Sequence, residues 1–354
     1  MKIEQNTALP WRAMNSSLGF IVLFLFVYFL SVAKDLLLPL VIAIVLWYLI
    51  NALAKRYARI KISHFGLPSF VCYILAIMTL GTGIWGVSEL ISRNMAEVVQ
   101  AAPAYQQNLE EITQKLLATL KLNGEAEIAT LNDYVNVGSI ISAIAKSFTG
   151  IAGKTIIVFV YVSFLLLEQR TFNQKISAMI SDEKREIKIR SILKSIESKI
   201  QLYIWVKTLM SALTGGLSFI VMRWVGVDFA EFWALIIFFL NFIPTIGSLL
   251  GIIFPALLTL IQFDTYYPFV VVSMGLSAVQ MGVGNFLDPR MMGETLNLSP
   301  LVILLSLAVW GTIWGIPGMF LSIPIMVIVT IMLAQFDTTR PIAVLLSKDG
   351  KISS

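Results

Sequence analysis

Side chains that could carry out covalent or metal chemistry are scarce in this chain. Its 354 residues include one histidine, His64, and one cysteine, Cys72, and no carboxylate pair lies next to the histidine. The P-loop pattern GxxxxGK[ST], the zinc pattern HExxH and the nucleophile pattern GxSxG do not occur. Catalysis needs an activated nucleophile, paired acids or a metal-ligand cluster. The sequence therefore predicts no enzyme activity, no metal and no cofactor.

Two apolar stretches in the second half of the chain are interrupted by proline and glycine. Residues 232–263 are broken at 241–244, and residues 301–336 are broken between Gly311 and Gly318. Proline removes a backbone donor, and hydrocarbon cannot satisfy the backbone groups released at a break. Such breaks persist in a membrane only where protein or a water-filled cavity covers them. We therefore expect the two breaks to meet inside the bilayer around a polar, uncharged niche.

Side chains near these breaks could bind a small polar substrate through amide, hydroxyl and indole groups. The candidate substrate-binding residues are Asn241, Thr245, Ser248, Gln280, Asn285, Trp310 and Trp314. For each of them the ordinary alternative is a helix cap or a hydrogen bond between helices. The candidate gate or hinge residues are Pro244, Gly247, Gly251, Asp288, Pro289, Arg290, Gly311, Gly315, Gly318 and Pro324. Close packing is the alternative role for the glycines. Asp288 and Arg290, on either side of Pro289, are expected to pair with each other or to stabilise a gate.

The composition indicates the environment of the elements that position these residues. Hydrophobic residues make up 57% of the chain, charged residues 13%, and the mean hydropathy is +0.83. A soluble domain carries about 25% charged residues, so the sequence predicts an all-α, polytopic membrane protein. About six spans are clear by length: residues 18–33, 36–53, 67–91, 151–167, 206–226 and 266–283. Each broken stretch either crosses once as a kinked helix or re-enters as a hairpin, and breaks near mid-stretch favour hairpins.

Basic residues predict the orientation of the spans. Lys55, Arg56, Arg59 and Lys61 lie together without an acidic neighbour, and residues 168–205 carry eight basic residues against five acidic ones. Residues 92–150 carry four basic residues against six acidic ones. Because cytoplasmic loops are enriched in Lys and Arg, we expect both termini in the cytoplasm and residues 92–150 on the opposite side. The net charge of +5 is too modest and dispersed to indicate nucleic-acid binding.

The chain divides into five predicted regions. They are an N-terminal tail with three spans (1–91), an extracytoplasmic helical lobe (92–150), two spans with a basic amphipathic helix near 182–207 (151–226), a transport core with broken helices (227–336) and a cytoplasmic tail (337–354). A basic amphipathic helix can lie on anionic lipids of the inner leaflet. Docking of that helix on its own bundle is an equally good alternative.

The sequence motifs around the breaks resemble those of a known family. The motifs are Asn241-Phe242-Ile243-Pro244-Thr245-Ile246-Gly247, then Asn285-Phe286-Leu287-Asp288-Pro289-Arg290-Met291-Met292-Gly293, then Gly311, Gly315, Gly318-Met319 and Ser322-Ile323-Pro324. Together they are similar to the AI-2E, or PerM-like, family of bacterial inner-membrane transporters, over nearly the whole chain. One departure lies at Thr245 and Ser248, where the family commonly has an aromatic residue and a proline.

The resemblance implies a transporter of the bacterial inner membrane that exports a small molecule. The branch it is most similar to exports autoinducer-2, a neutral polyhydroxylated molecule suited to amides and hydroxyls rather than to fixed charge. Some relatives are described as sodium or lithium/proton antiporters, and a non-transporting scaffold or regulator is a third alternative. A mechanism in which one helical block moves against another is compatible with a homo-oligomer, whose order the sequence does not specify.

Overall fold

A computed structural model describes residues 8–62, 65–120, 155–180, 182–292 and 297–351. His64 and residues 121–150 of the expected extracytoplasmic lobe lie outside these ranges. Helices α1 (Ala8–Val32) and α2 (Lys34–Tyr57) are separated by Ala33 alone, and helical hydrogen bonds run through this junction: the Ala33 amide donates to the Phe29 carbonyl at 2.8 Å, and the Ala33 carbonyl accepts from the amides of Leu36 and Leu37 at 3.0 and 2.9 Å. Two-residue strands β1 (Lys61–Ile62) and β2 (Phe65–Gly66) then pair in antiparallel register.

Helices α2, α3 (Ser69–Leu120) and α4 (Thr155–Met179) pack around an apolar cluster that includes Ala43, Cys72 and Val158. Cys72 is only 1% exposed. Helix α3 has 52 residues, about 78 Å at roughly 1.5 Å per residue, so it runs beyond a bilayer core of about 30 Å. The helix is therefore continuous across residue 91, where the sequence analysis divided span from lobe.

Helix α5 (Glu183–Val225) begins after Asp182, whose side chain accepts a hydrogen bond from the Lys184 amide, and ends at Gly226 in the left-handed conformation (φ 84°). Its 43 residues span about 64 Å, so the basic amphipathic segment and the fifth span are one helix. On its apolar face, Ile200 and Tyr203 pack with Ile323 and Val327 of the later helix Ile316–Ala334. The later part of this face therefore contacts protein, whereas Ile189 and Leu193 nearer the start of the helix are exposed.

The first broken stretch folds into a helical hairpin of α6 (Ala230–Leu240) and α7 (Ile246–Gln262). Gly251 lies against Ile237, and a Cβ on Gly247 would fall 1.7 Å from the Leu240 carbonyl oxygen. The 11 residues of α6 cover about 16 Å, too short for a hydrocarbon core of about 30 Å. This stretch therefore re-enters rather than crosses.

Polar contacts hold the two ends of this first hairpin together. The Gln262 amide group donates to the Gly226 carbonyl at 2.8 Å and accepts from the Asp228 amide at 2.9 Å. Helix α3 adds Tyr105, whose hydroxyl donates to Asp228 at 2.8 Å, and Asn108, which donates to the Ile261 carbonyl at 2.9 Å. Burial, together with the hydrogen bond to Asp228, raises the pKa of Tyr105, so this hydroxyl stays a donor across physiological pH.

Between the two hairpins runs a helix that changes its winding near its end. It consists of α8 (Tyr267–Gln280), a π-helical segment (Met281–Leu287) and α9 (Asp288–Met292). A π-helical turn adds a residue to each hydrogen-bonded ring and is frequently found at functional sites. The sequence analysis did not anticipate it.

The second broken stretch is also a hairpin, of α10 (Pro300–Trp314) and α11 (Ile316–Ala334), and α12 (Arg340–Leu346) follows. Gly315 makes the turn with φ 67° and ψ −146°, a conformation essentially restricted to glycine. The Ser306 hydroxyl donates to the Ser322 carbonyl across the arms at 3.2 Å. Leu298, just before α10, pairs with Ser347 after α12, so the stretch begins and ends on the same side of the bundle.

Six helical segments in the described residues are long and apolar enough to cross a membrane. They are Lys34–Tyr57, Ser69–Ala101, Thr155–Phe172, Glu183–Val225, Tyr267–Met292 and Ile316–Ala334. Five coincide with predicted spans, the sixth is α11, and α1 covers the remaining predicted span at 18–33. The predicted all-α, polytopic membrane fold is confirmed.

Candidate functional site

One face of α5 carries a buried line of polar side chains through the span. The line consists of Tyr203, Lys207, Ser211, Thr214 and Ser218, and all of them are buried. Spacings of four, four, three and four residues place side chains on one face of a helix. Buried polar groups are costly unless they are hydrogen-bonded or paired, so the partners of this line indicate where the other elements converge.

Asn241, at the tip of the first hairpin, joins this line to α8. Its amide nitrogen donates to the Ser211 hydroxyl at 3.1 Å, and the Gln280 amide nitrogen lies 3.5 Å from the Asn241 amide oxygen. A Cβ on Gly284 would lie 2.5 Å from that Gln280 nitrogen. Glycine at 284 therefore leaves the space that Gln280 occupies. Two of the candidate substrate-binding residues, Asn241 and Gln280, therefore lie together.

A buried charge pair lies one helical turn along α5 from this contact, about 6 Å. Lys207 Nζ donates to Asp288 Oδ2 at 2.7 Å, and the two side chains are only 9% and 13% exposed. Lys207 is about 27 Å along α5 from the C-terminal end of that helix. The pair thus joins α5 to the end of the π-helical segment near the basic end of the bundle, the end that carries Lys55 and Arg56.

Two polar atoms beside this pair have no hydrogen-bond partner among the described residues. They are the second carboxylate oxygen, Asp288 Oδ1, and the Tyr203 hydroxyl, both fully buried. Tyr203 is one turn before Lys207 on α5, within electrostatic reach of Asp288. Buried polar atoms without partners call for an occupant such as water or a ligand group. The charge pair therefore lies next to a hydroxyl and a carboxylate oxygen whose hydrogen-bonding capacity is unused among the described residues.

The structure corrects two expectations about this region. Asp288 pairs with Lys207 and not with Arg290, whose guanidinium lies 5.1 Å from the centre of the Phe286 ring. The reason is geometric, since residues two apart on a helix do not face each other, and residues 288–292 are helical. The predicted niche was uncharged, whereas a buried ion pair borders the amide contact.

The tip of the first hairpin contains a strained residue. Thr245 has φ 63° and ψ −55°, and the Ile246 amide donates to the Pro244 carbonyl at 2.6 Å. These values describe a γ-turn of the rare type, which is unfavourable for a β-branched residue. The Ser248 hydroxyl donates to the Thr245 carbonyl at 2.8 Å. Ser248 therefore hydrogen-bonds within its own turn and contacts no other helix through this bond.

The two hairpins touch through aromatic rings. Phe242, at the first break, stacks on Phe320 of α11 with centroids 5.0 Å apart and planes at 16°. Trp310 and Trp314 pack with centroids 5.1 Å apart, and the Trp314 indole nitrogen donates to the Leu30 carbonyl of α1 at 3.0 Å. An aromatic stack thus joins the two hairpins, while Trp314, a candidate substrate-binding residue, is hydrogen-bonded to α1.

The remaining gate or hinge candidates mostly lie where arms pack closely. Cβ atoms on Gly247 and Gly318 would fall 1.7 and 1.9 Å from backbone carbonyl oxygens of the facing arms, so only glycine fits at either position. A Cβ on Gly251 would touch Ile237 at 3.4 Å, and one on Gly311 would lie 2.8 Å from Met319. Pro324 is buried within α11, and Asn285 and Pro289 are exposed.

Sequence reasoning missed Lys207, Ser211 and Tyr203. Lys207 is the second residue of an apolar run and was counted with the basic segment before it. The available signal was the spacing of Tyr203, Lys207, Ser211, Thr214 and Ser218, which places five polar residues on one face of a predicted span. An ionisable residue on such a face indicates a functional position.

A hairpin tip that meets a buried polar line and a buried ion pair is typical of transporters with broken helices. The family model described as "AI-2E family transporter" matches residues 18–337. This chain belongs to the AI-2E transporter family. It is therefore a membrane transporter and not an enzyme.

Individual AI-2E relatives match over almost their whole length. A protein from Borreliella burgdorferi with only a provisional name as a transport protein is 30% identical over 351 residues, 98% of this chain and 94% of the relative. The AI-2 transport protein TqsA of Escherichia coli is 28% identical over 324 residues, 90% of this chain and 91% of the relative. A Haemophilus influenzae relative, also provisionally named as a transport protein, is 28% identical over 325 residues.

Proposed function

We propose that this AI-2E transporter exports a small polar molecule, with autoinducer-2 as the first candidate, across the bacterial inner membrane. The name of TqsA supports the cargo. The distribution of basic residues supports cytoplasmic termini and a cytoplasmic position for the end that carries Lys55 and Arg56. Export then begins at the end of the bundle where Lys207 and Asp288 pair.

The observation that carries the proposal is the buried polar line on α5. It provides hydroxyl groups from Ser211 and Thr214 inside a span, next to the amides of Asn241 and Gln280. A neutral, polyhydroxylated cargo needs donors and acceptors of this kind along its path, because lipid supplies none. Lys207 and Asp288 act as the inner closure, and the Phe242–Phe320 stack acts as a contact between the two hairpins.

Transport by alternating closure follows from this arrangement. The tip of the first hairpin is joined to α5 by a hydrogen bond from Asn241, and the start of α9 is joined to α5 by the Lys207–Asp288 pair. A cargo hydroxyl that hydrogen-bonds Asn241 replaces its contact with Ser211. Separation of the Lys207–Asp288 pair opens the cytoplasmic end, and movement of the hairpin tip past Phe320 opens the opposite one.

The test is efflux of isotopically labelled autoinducer-2 from proteoliposomes that contain only this chain. We expect efflux from wild-type vesicles and a rate lowered about tenfold by Asn241→Ala, which corresponds to the loss of roughly one hydrogen bond worth about 1.4 kcal/mol. Asn94→Ala is the matched control, because Asn94 is also a buried asparagine, and its amide donates to the Leu90 carbonyl on its own helix. Flux equal to that of empty vesicles would reject the cargo.

A sodium or lithium/proton antiporter is the second candidate, and the buried Asp288 carboxylate favours it. Carboxylates inside the membrane are the usual carriers of protons and cations in transporters. This candidate predicts that Na+ or Li+ added outside changes the fluorescence of a pH dye inside the vesicles. It also predicts that Asp288→Asn abolishes the response, while labelled autoinducer-2 gives no flux in wild-type vesicles.

A further inference from the structure

The two ends of the first hairpin are joined to each other by one side chain. One end is the chain that enters α6 at Gly226 and Asp228, and the other is the end of α7 at Ile261 and Gln262. The Gln262 amide group connects them through its bonds to the Gly226 carbonyl and the Asp228 amide. We call these four residues the hairpin base.

Helix α3 holds each end of the hairpin with a separate side chain. The Tyr105 hydroxyl donates to an Asp228 carboxylate oxygen at 2.8 Å, and the Asn108 amide donates to the Ile261 carbonyl at 2.9 Å. Residues three apart lie next to each other on one face of a helix, so a single face of α3 binds both ends. Tyr105 is buried, and α3 packs against both α6 and α7. The hairpin is therefore attached to α3 as well as to α5.

The hairpin base lies at the opposite end of the bundle from the basic end. Helix α5 ends at Val225, about 42 Å along the helix from Glu197 at the basic end. Trp224, Tyr266 and Tyr267 lie close to the base in the sequence, and all three are largely exposed. Exposed Trp and Tyr are typical of the level at which a bilayer meets water. The base therefore lies at one membrane interface, and the buried charge pair lies towards the other.

From this base, α6 extends to the tip of the hairpin. Its 11 residues cover about 16 Å, and they end next to Asn241, which donates to Ser211 at 3.1 Å. An arm of this length moves its tip by about 3 Å when it turns by about 10° at the base. Because hydrogen bonds extend to only about 3.2 Å, such a turn is enough to break the contact with Ser211. Small movements at the base thus determine whether the tip contacts α5.

We propose that Tyr105 and Asn108 are positioning residues for transport, and that the hairpin base is the pivot of the first hairpin. With both bonds to α3 in place, the base is held and the tip contacts Ser211. Loss of either bond frees the base, so that α6 leaves α5 more often and exposes the polar line from the side of the base. The proposal rests on the movement of the first hairpin in the proposed function, and it does not depend on the identity of the cargo.

Thr214, on the polar line of α5, is the reporter position for this movement. It lies three residues closer to the base than Ser211 and is buried. Its neighbour Gly215 lies so close to α6 that a Cβ there would be 2.9 Å from the Ala234 carbonyl oxygen. In the full-length chain with Cys72→Ala and Thr214→Cys, the rate of labelling by a membrane-impermeant thiol reagent measures how often α6 leaves α5. Nanodiscs expose both membrane faces to the reagent, so the result is independent of the orientation of the chain.

Tyr105→Phe should raise the labelling rate about tenfold, because it removes a hydrogen bond to a carboxylate. Asp228→Ala removes the same bond from the other side and should have the same effect, and the double variant should label no faster than either single variant. Asp228→Asn keeps an oxygen that accepts the bond and should label at close to the wild-type rate. Asn108→Ala should raise the rate several-fold, since its acceptor is a neutral carbonyl.

Tyr73→Phe is the matched control, because Tyr73 lies on the same helix and its hydroxyl donates to Asn51 of α2, also at 2.8 Å. It should leave the labelling rate unchanged. Unchanged labelling in both Tyr105→Phe and Asp228→Ala, or an equal increase in Tyr73→Phe, would overturn the proposal. If Tyr105→Phe does not fold, the comparison of Asp228→Ala with Asp228→Asn decides. Faster labelling in Tyr105→Phe without efflux of autoinducer-2 from wild-type vesicles would reject the cargo and support the pivot.

Discussion

The Lys207–Asp288 pair is the contact whose removal should disturb this transporter most. The two side chains lie 2.7 Å apart and are only 9% and 13% exposed, so neither charge is well solvated when alone. Loss of one partner of a buried pair costs about 3–5 kcal/mol, because the other charge remains buried. We therefore expect Lys207→Met and Asp288→Leu each to lower the free energy of unfolding by about that amount.

The double variant Lys207→Met with Asp288→Leu should recover most of this loss. Replacement of both charges by apolar groups of similar volume is often neutral or stabilising. The interaction energy from the double-mutant cycle should then be several kcal/mol, well above the roughly 0.5 kcal/mol found for independent sites. The assay is reversible unfolding in mixed micelles, followed by tryptophan fluorescence.

An exposed pair in the same chain provides the control for this cycle. Lys55 and Glu197 lie 3.1 Å apart with side chains 62% and 41% exposed. Because water screens such a pair, its interaction energy should be at most about 1 kcal/mol. Additive losses at Lys207 and Asp288, or a cycle no larger than that of Lys55 and Glu197, would refute the view that the pair is a buried closure.

Three further predictions concern the hairpins and the helix between them. Gly247→Ala should lower the free energy of unfolding by at least about 2 kcal/mol, since its Cβ would meet a carbonyl oxygen at 1.7 Å. Gly216→Ala is the control, because the space around Gly216 is open. In the same unfolding assay it should be neutral or stabilise the fold by up to about 1 kcal/mol. Thr245→Gly should raise the free energy of unfolding by roughly 1 kcal/mol through relief of its positive φ; a loss would show that the threonine side chain is needed. Gly284→Ala should displace the Gln280 amide and slow efflux with little loss of stability, and unchanged flux would exclude Gln280 from the path.

The hydrophobic pattern was sufficient to predict the spans and the two broken stretches. Composition determines which segments enter a membrane. Pro244 marks the first break because proline lacks a backbone N–H donor. Gly315 marks the second because its backbone conformation is essentially restricted to glycine. The contacts between elements were not accessible in the same way. The pairing of Lys207 with Asp288 joins residues 81 positions apart, and no local pattern specifies that distance.

The candidate substrate-binding residues differ in where the fold places them, and the sequence did not show this difference. Asn241 and Gln280 come together because the first hairpin places its tip against α5 and α8, while Trp314 is bound to α1 and Ser248 to its own turn. Each of these polar groups looks equivalent in the sequence. Only the packing of the hairpins decides which of them face α5, and the π-helical segment that positions Asp288 has no sequence signature beyond its glycines.

Thiol accessibility of the α5 line tests the transport path most directly. The only native cysteine is removed by Cys72→Ala, and Ser211→Cys is then exposed to a membrane-impermeant thiol reagent from the cytoplasmic side, with and without Asp288→Asn. The account predicts slow labelling with the pair intact and much faster labelling once the pair is broken, while a cysteine at Leu213, on an exposed face of α5, stays unaffected. If Ser211→Cys is equally unreactive in both backgrounds, no aqueous path runs along α5 behind this pair.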